Sequence, residues 1–141
     1  MYSENAVLLL IITMAVESEL GTFIMQKYDG PAMGVYQMEP ATYYDNWENN
    51  LRFRKGVRDK LLKITGFGSP PEADHLIWDM KLATAMARIH YARFPEPIPE
   101  IHDFDGMVEY YHKFWGPNPD KTSIYQAKQR AMRVLFGSAN A

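Results

Sequence analysis

The sequence predicts a mainly α-helical single domain with one short extended or loop segment in its first third. Three observations carry this expectation. Apolar residues recur at helical spacing, most clearly through Leu76, Ile77, Met80, Leu82, Ala83 and Met86. Breakers rich in Gly and Pro punctuate the periodic stretches at residues 28–31, 65–71, 95–99 and 116–119. The length of 141 residues suffices for one hydrophobic core and is short for two, so residues 1–141 form one domain.

Taken in order, Ser3 or Asn5 caps a first helix from about residue 5 to about residue 27. It is apolar around most of its circumference through Val16, which predicts burial, and amphipathic after Glu17. The Gly30-Pro31 turn ends it, because Pro cannot continue a helix. Gly34-Val35-Tyr36-Gln37-Met38 reads as a short extended piece of a small hairpin or loop. Pro40-Ala41-Thr42 reopens helix to about Asn49, with Pro in the first turn where its missing amide costs nothing. Residues 51–64 form the next helix, offering Leu51, Val57, Leu61, Leu62 and Ile64 to the core. A second long helix starts at Pro71-Glu72-Ala73-Asp74 and runs to about Phe94; its Ala83, Ala85 and Ala87 allow close approach of the first helix. Pro95-Glu96-Pro97-Ile98-Pro99 is a stiff connector. Asp103 or Asp105 caps a helix to about Trp115, a last helix spans about Thr122 to Phe136, and residues 137–141 form a frayed tail.

Composition narrows the function classes. A net charge of -2 argues against a dedicated nucleic-acid binder, whose affinity rests on Lys and Arg contacts to phosphates. The basic run Arg52, Arg54, Lys55, Arg58, Lys60 and Lys63 is read first as a solvated helix face. Without cysteine there is no disulfide, thiolate metal site or thiol nucleophile. The four histidines show no ligand spacing beyond the pair His75 and Asp79, which by itself cannot hold zinc, so neither metal nor cofactor is expected. The apolar run from Ala6 to Val16 is far below the ~20 residues of a membrane span. No basic segment precedes it, so no signal peptide is expected.

The chemistry concentrates at Glu17. On a helix its near neighbours include Leu10, Thr13, Leu20, Gly21 and Ile24, an environment that strips water from a carboxylate and raises its pKa toward that of a general acid. Glu19 shares a face with Ala15, Thr22 and Gln26 and is expected to be the more solvated of the two. Glu17-Ser18 at the end of an apolar helix resembles the catalytic Glu-Ser motif of the lysozyme-like superfamily. A loop later, Gly34-Val35-Tyr36-Gln37-Met38-Glu39-Pro40-Ala41-Thr42 is similar to the Gly-Leu-Met-Gln-x-x-Pro-x-Thr motif of its soluble lytic transglycosylases. The Gln37-Met38-Glu39 variant, residues 82–99 and the run Tyr110-Tyr111-His112-Lys113-Phe114-Trp115-Gly116-Pro117 resemble phage-encoded members.

The resemblance implies a lysozyme-like helical domain whose short β/loop segment lies beside an active-site cleft. It also implies cleavage of the β-1,4 bond between N-acetylmuramic acid and N-acetylglucosamine in peptidoglycan. Glu17 would be the acid and base, with Ser18 orienting it. Gln37 and the backbone of the segment from Gly34 through Tyr36 to Gln37 would hold an N-acetyl group or a sugar hydroxyl. Tyr110 or Tyr111 would stand in for the tyrosine of the family's Ala-Tyr-Asn motif, which contacts the glutamate; its Asn has no counterpart here. Glycoside cleavage commonly employs two carboxyl groups. Glu39 is the first candidate for a second catalytic carboxylate, with Asp45 and Asp29 behind it. For Glu39 the plainer alternative is an acid at a helix N-terminus, and for Asp29 a turn residue. Tyr36, Tyr43, Tyr44, Trp47 and Trp115 could stack on sugars or pack the core.

The partners expected are peptidoglycan glycan strands and other virion proteins, with the protein itself a monomer. It would be made in a host cytoplasm and act on periplasmic or cell-wall peptidoglycan, as an endolysin or carried by a virion. Two alternatives stand beside this reading: an inactive glycan-binding or virion structural protein of the same fold, and a helical adaptor binding an acidic partner through the basic run.

Overall fold

The computed structural model describes residues 2–25, 30–116 and 123–137. Six α-helices are present among them: α1 (Glu4–Ser18), α2 (Pro40–Asn49), α3 (Lys55–Thr65), α4 (Met80–Tyr91), α5 (Phe104–Phe114) and α6 (Ile124–Phe136). Short 3-10 turns cover Leu51–Phe53 and Ala73–Ile77. Among the described residues no strand forms; the isolated bridges Met25 to Met33 and Met33 to Met38 are the only β pairing. The fold is mainly helical, as expected, and no described helix is long and apolar enough to cross a membrane.

α1 lies at the centre. Most of its apolar residues are buried or half-buried, with Leu9, Ile12, Ala15 and Val16 all but inaccessible and Val7 exposed, and it packs against α5, α6 and α4. Leu9, Ile12 and Val16 each contribute roughly 1.5–3 kcal/mol on leaving water. The one polar group at mid-helix, Thr13, is satisfied by the Leu9 carbonyl and by the Tyr91 hydroxyl of α4 at 2.7 Å.

The first helix is shorter than expected. It stops at Ser18 because Glu19, Leu20 and Gly21 adopt positive φ values of 50°, 57° and 91°. The amides of Glu19 and Leu20 both turn back to the Met14 carbonyl. For the two non-glycine residues this conformation costs roughly 1–2 kcal/mol each. Ser18 offsets part of that: its buried hydroxyl donates to the Val35 carbonyl at 2.5 Å and accepts from the Gly21 amide at 2.9 Å. The remainder of the expected helix, residues 26–27, and the turn residues Tyr28 and Asp29 lie outside the described residues.

Two other expected helices are divided. The stretch 51–64 splits into the 3-10 turn at Leu51–Phe53 and α3, with Arg54 between them in a non-helical conformation and Leu51 fully buried. The second long helix splits at Trp78 and Asp79, because the Asp79 carboxylate accepts the Leu82 amide and caps α4 there. Ser3 caps α1, one of the two residues expected there. Asp103, rather than Asp105, caps α5. Ser123 and Gln126 form a reciprocal capping box that starts α6. Thr122, the expected start of α6, and residues 138–141 of the tail lie outside the described residues.

Candidate functional site

The site begins where α1 stops. Glu17 is half-buried, and the Tyr111 hydroxyl of α5 donates to its Oε1 at 2.6 Å. That length is typical of a hydrogen bond to a charged carboxylate. Tyr111 is 3% exposed; burial first, then the neighbouring carboxylate, hold its phenol well above the ordinary range, so it remains a proton donor. Glu19 faces elsewhere. Its Oε1 accepts from Arg133 of α6 at 2.9 Å, while Arg130 donates to the Val16 carbonyl at 2.9 Å and satisfies one of the open carbonyls at the end of α1.

Next to the end of α1 stands the turn of residues 34–37, joined to it by the hydrogen bond from Ser18 to Val35. Met33 and Met38 exchange backbone hydrogen bonds of 3.0 and 3.2 Å across it. Gly34 has a φ of +77°, and a Cβ there would lie 2.1 Å from the Leu76 carbonyl oxygen, so only glycine fits. Gln37 also takes a left-handed conformation, at φ 51°, and both its backbone amide and its side-chain Nε2 donate to the Gly34 carbonyl. Ser18 holds this segment from the α1 side through Val35. Trp115 holds it from the end of α5, its Nε1 donating to the Tyr36 carbonyl at 3.1 Å.

A cleft of about 440 Å³ opens between these parts. One side is formed by Glu17, Gln37, Met38, Glu39 and Thr42. The other is formed by His90 and Phe94 at the end of α4, with Lys113, Phe114, Trp115 and Gly116 at the end of α5. The Trp115 ring packs against Tyr91 and His90, with centroids 5.1 and 5.2 Å away. His90 has Nδ1 3.3 Å from the Asn46 amide and Nε2 3.4 Å from the Phe114 carbonyl, which puts its proton on Nε2. Burial pushes its pKa below the ordinary value.

Of the residues expected to form a site, Glu17, Gln37 and Glu39 border the cleft. Glu39 sits at the N-cap position of α2, and its side chain makes no capping bond. Gly34 and Ser18 are buried and position the cleft rather than line it. Two expectations of ligand contact are corrected. The Tyr36 side chain is 3% exposed and runs into the core, its hydroxyl 3.1 Å from Thr84. Tyr110 bonds the Glu96 carbonyl at 2.9 Å, away from Glu17; neighbouring helical residues point in different directions, so only one of the two tyrosines reaches the carboxylate. Asp45 is engaged by Arg93 and Asn49, the Arg93 hydrogen bond chiefly holding its carboxyl below the usual range, and it does not border the cleft. Asp29 lies outside the described residues. Tyr43 and Trp47 are core residues, Tyr44 bonds Glu72, and of the five candidate stacking rings Trp115 alone lines the cleft.

The sequence reading missed Thr42, His90, Phe94, Lys113 and Phe114. A signal existed in the spacing of the second wall. Tyr111 and Phe114 are three residues apart, Tyr111 and Trp115 four, and His90 and Phe94 four, the separations that share a helix face.

No protein-family model, curated protein or solved structure matches the chain. Fold and site together define a mainly helical domain with an aromatic-walled cleft that carries a carboxylate paired to a buried tyrosine.

Proposed function

We propose that the protein cleaves peptidoglycan as a lytic transglycosylase or lysozyme, breaking the β-1,4 bond between N-acetylmuramic acid and N-acetylglucosamine. The observation that carries this reading is Glu17 itself. It is a half-buried carboxyl group at a helix end, holding a tyrosine hydroxyl on one oxygen and bordering a cleft of about 440 Å³. Protonated Glu17 gives its proton to the glycosidic oxygen as the C1–O bond breaks. Negative charge then develops on the carboxylate, and the Tyr111 O–H strengthens its hydrogen bond to Oε1 at that moment. As base, Glu17 next takes a proton from the nucleophile. When the nucleophile is the muramyl 6-hydroxyl the product is a 1,6-anhydro sugar; when it is water the product is a reducing end.

Gln37 and Thr42 supply neutral hydrogen-bonding groups for N-acetyl and hydroxyl substituents. Phe94, Phe114 and Trp115 offer ring faces and edges for the apolar sides of the sugars. Glu39 is the candidate second carboxylate, because it is the other acidic residue lining the cleft among the described residues.

The test compares the protein with its Glu17→Gln variant on purified cell walls. Clearance of turbidity by the parent alone supports the reading. Equal clearance by both, or by neither, overturns it, and neither clearing while both bind glycan would favour a non-catalytic glycan-binding protein. Mass analysis of the released fragments then separates the two chemistries, since an anhydro end is lighter than a reducing end by one water.

A further inference from the structure

The described residues that line the cleft include charged groups that an uncharged polysaccharide has no use for. Glu17 and Glu39 both border it, and either would repel an acidic substituent on the glycan. Among the described residues that line it, the one permanent cation is Lys113 on the penultimate position of α5; His90, the other basic group there, is desolvated and uses both ring nitrogens within the protein. Lys113 is exposed, and none of the ion pairs among the described residues involves it. Its ammonium group lies 5.0 Å from the centroid of the Phe114 ring, which keeps the cation over the wall of the cleft.

Three other cations among the described residues are engaged in ion pairs: Arg93 with Asp45, Arg133 with Glu19, and Lys128 with Asp105. A cation placed on an aromatic wall facing two carboxylates contributes nothing specific to recognition of uncharged N-acetylglucosamine. It does so for a glycan whose muramyl units carry carboxylates, either on the lactyl group or on attached peptide stems. We propose that Lys113 is a specificity-determining residue of this cleft, selecting carboxylate-bearing muramyl glycan over the neutral N-acetylglucosamine polymer of the same linkage. This inference rests on the glycan-cleaving reading above and names the feature of the substrate that the cleft distinguishes.

Binding is measured by calorimetric titration in a Glu17→Gln background, so that cleavage does not intervene. Three glycans of equal sugar number are used: an N-acetylglucosamine oligomer, a peptide-stripped strand with free lactyl carboxylates, and a strand with peptide stems. An exposed ion pair supports a preference of about 2- to 5-fold for one or both acidic glycans at low salt, fading as ionic strength rises. Lys113→Gln abolishes that preference and Lys113→Glu reverses it. The acidic glycan that responds identifies which carboxylate Lys113 meets. A preference that survives Lys113→Gln overturns the proposal, as does an equal loss of affinity for all three glycans, which would make Lys113 a part of the wall only. Binding of all three without any charge preference overturns this inference and leaves the glycan reading standing; binding of none overturns both.

Discussion

Replacing Tyr111 by Phe deletes one oxygen and keeps the ring that α5 buries. The oxygen removed is the one 2.6 Å from Glu17 Oε1, and its hydrogen bond is of the charge-assisted kind. Bonds of that class contribute roughly 1.5–3 kcal/mol. At about 1.4 kcal/mol per tenfold in rate, full loss in the transition state would lower kcat by about 10- to 150-fold. Glu17 is half-buried rather than sealed, so water can replace the phenol in part, and the lower end of that range is expected, with little change in KM. The assay is the initial rate of turbidity loss on purified cell walls, with thermal unfolding recorded alongside. Tyr110→Phe is the control, since that hydroxyl serves the Glu96 carbonyl instead. A folded Tyr111→Phe protein with parental kcat would refute the assignment of Tyr111 as the group that positions and stabilises Glu17.

Gly34→Ala should destabilise the fold by about 2–4 kcal/mol in urea denaturation. A left-handed non-glycine residue costs ~1–2 kcal/mol and the clash with the Leu76 carbonyl a similar amount. A loss below about 1 kcal/mol would mean that the turn can move away from the Ala73–Ile77 segment. Ser18→Ala should cost about 1–3 kcal/mol, because the Val35 carbonyl and Gly21 amide lose a buried partner together; unchanged stability would show that the left-handed turn after α1 needs no such tie. His90 gives a dependence on pH. Burial lowers its pKa in the fold below the ordinary 6.5, so as pH falls below about 6.5 the unfolded chain takes up the proton first and stability declines until the folded value is passed. His90→Gln should remove that part of the slope in melting temperature measured from pH 7 downward, and an identical slope in the variant would contradict it.

Much of the frame was legible because it depends on local signals. The periodicity of residues 76–89, Pro at the start of α2 and the capping chemistry of Ser3 and Asp103 all act within a few residues of where they are read. Helix interruption was harder to read. Glu19 and Leu20 have no intrinsic preference for a left-handed backbone, and what holds them there is Ser18 bonding a carbonyl 17 residues away. Asp79 read as a plain member of a long helix until its carboxylate was seen to cap α4. The candidate site divides along the same line. Glu17, Gln37 and Glu39 are recognisable because they lie on contiguous motifs. The wall facing them comes from the ends of α4 and α5, whose meeting with residues 34–42 is a matter of tertiary packing. Tyr36 and Tyr110 misled for the complementary reason: motif position says nothing about which way a side chain turns.

The early end of α1 is also what makes Glu17 usable. Within a continuous helix its neighbours would be the next turn of the same chain, and the carboxylate would be covered by Leu20, Gly21 and Ile24. Ending the helix at Ser18 removes that cover and brings in groups from α5 and α6. It also creates a difficulty, because the C-terminal end of a helix carries partial negative charge and open carbonyls, a poor setting for a carboxylate. Arg130 answers the first part by donating to the Val16 carbonyl, and Tyr111 the second by donating to Glu17 itself. The Glu17 carboxyl group thus sits between the negative end of a helix and a tyrosine O–H that donates to it. The glycan-cleaving reading proposed above asks this one group first to give a proton and then to take one, with Tyr111 steadying it in the ionised interval.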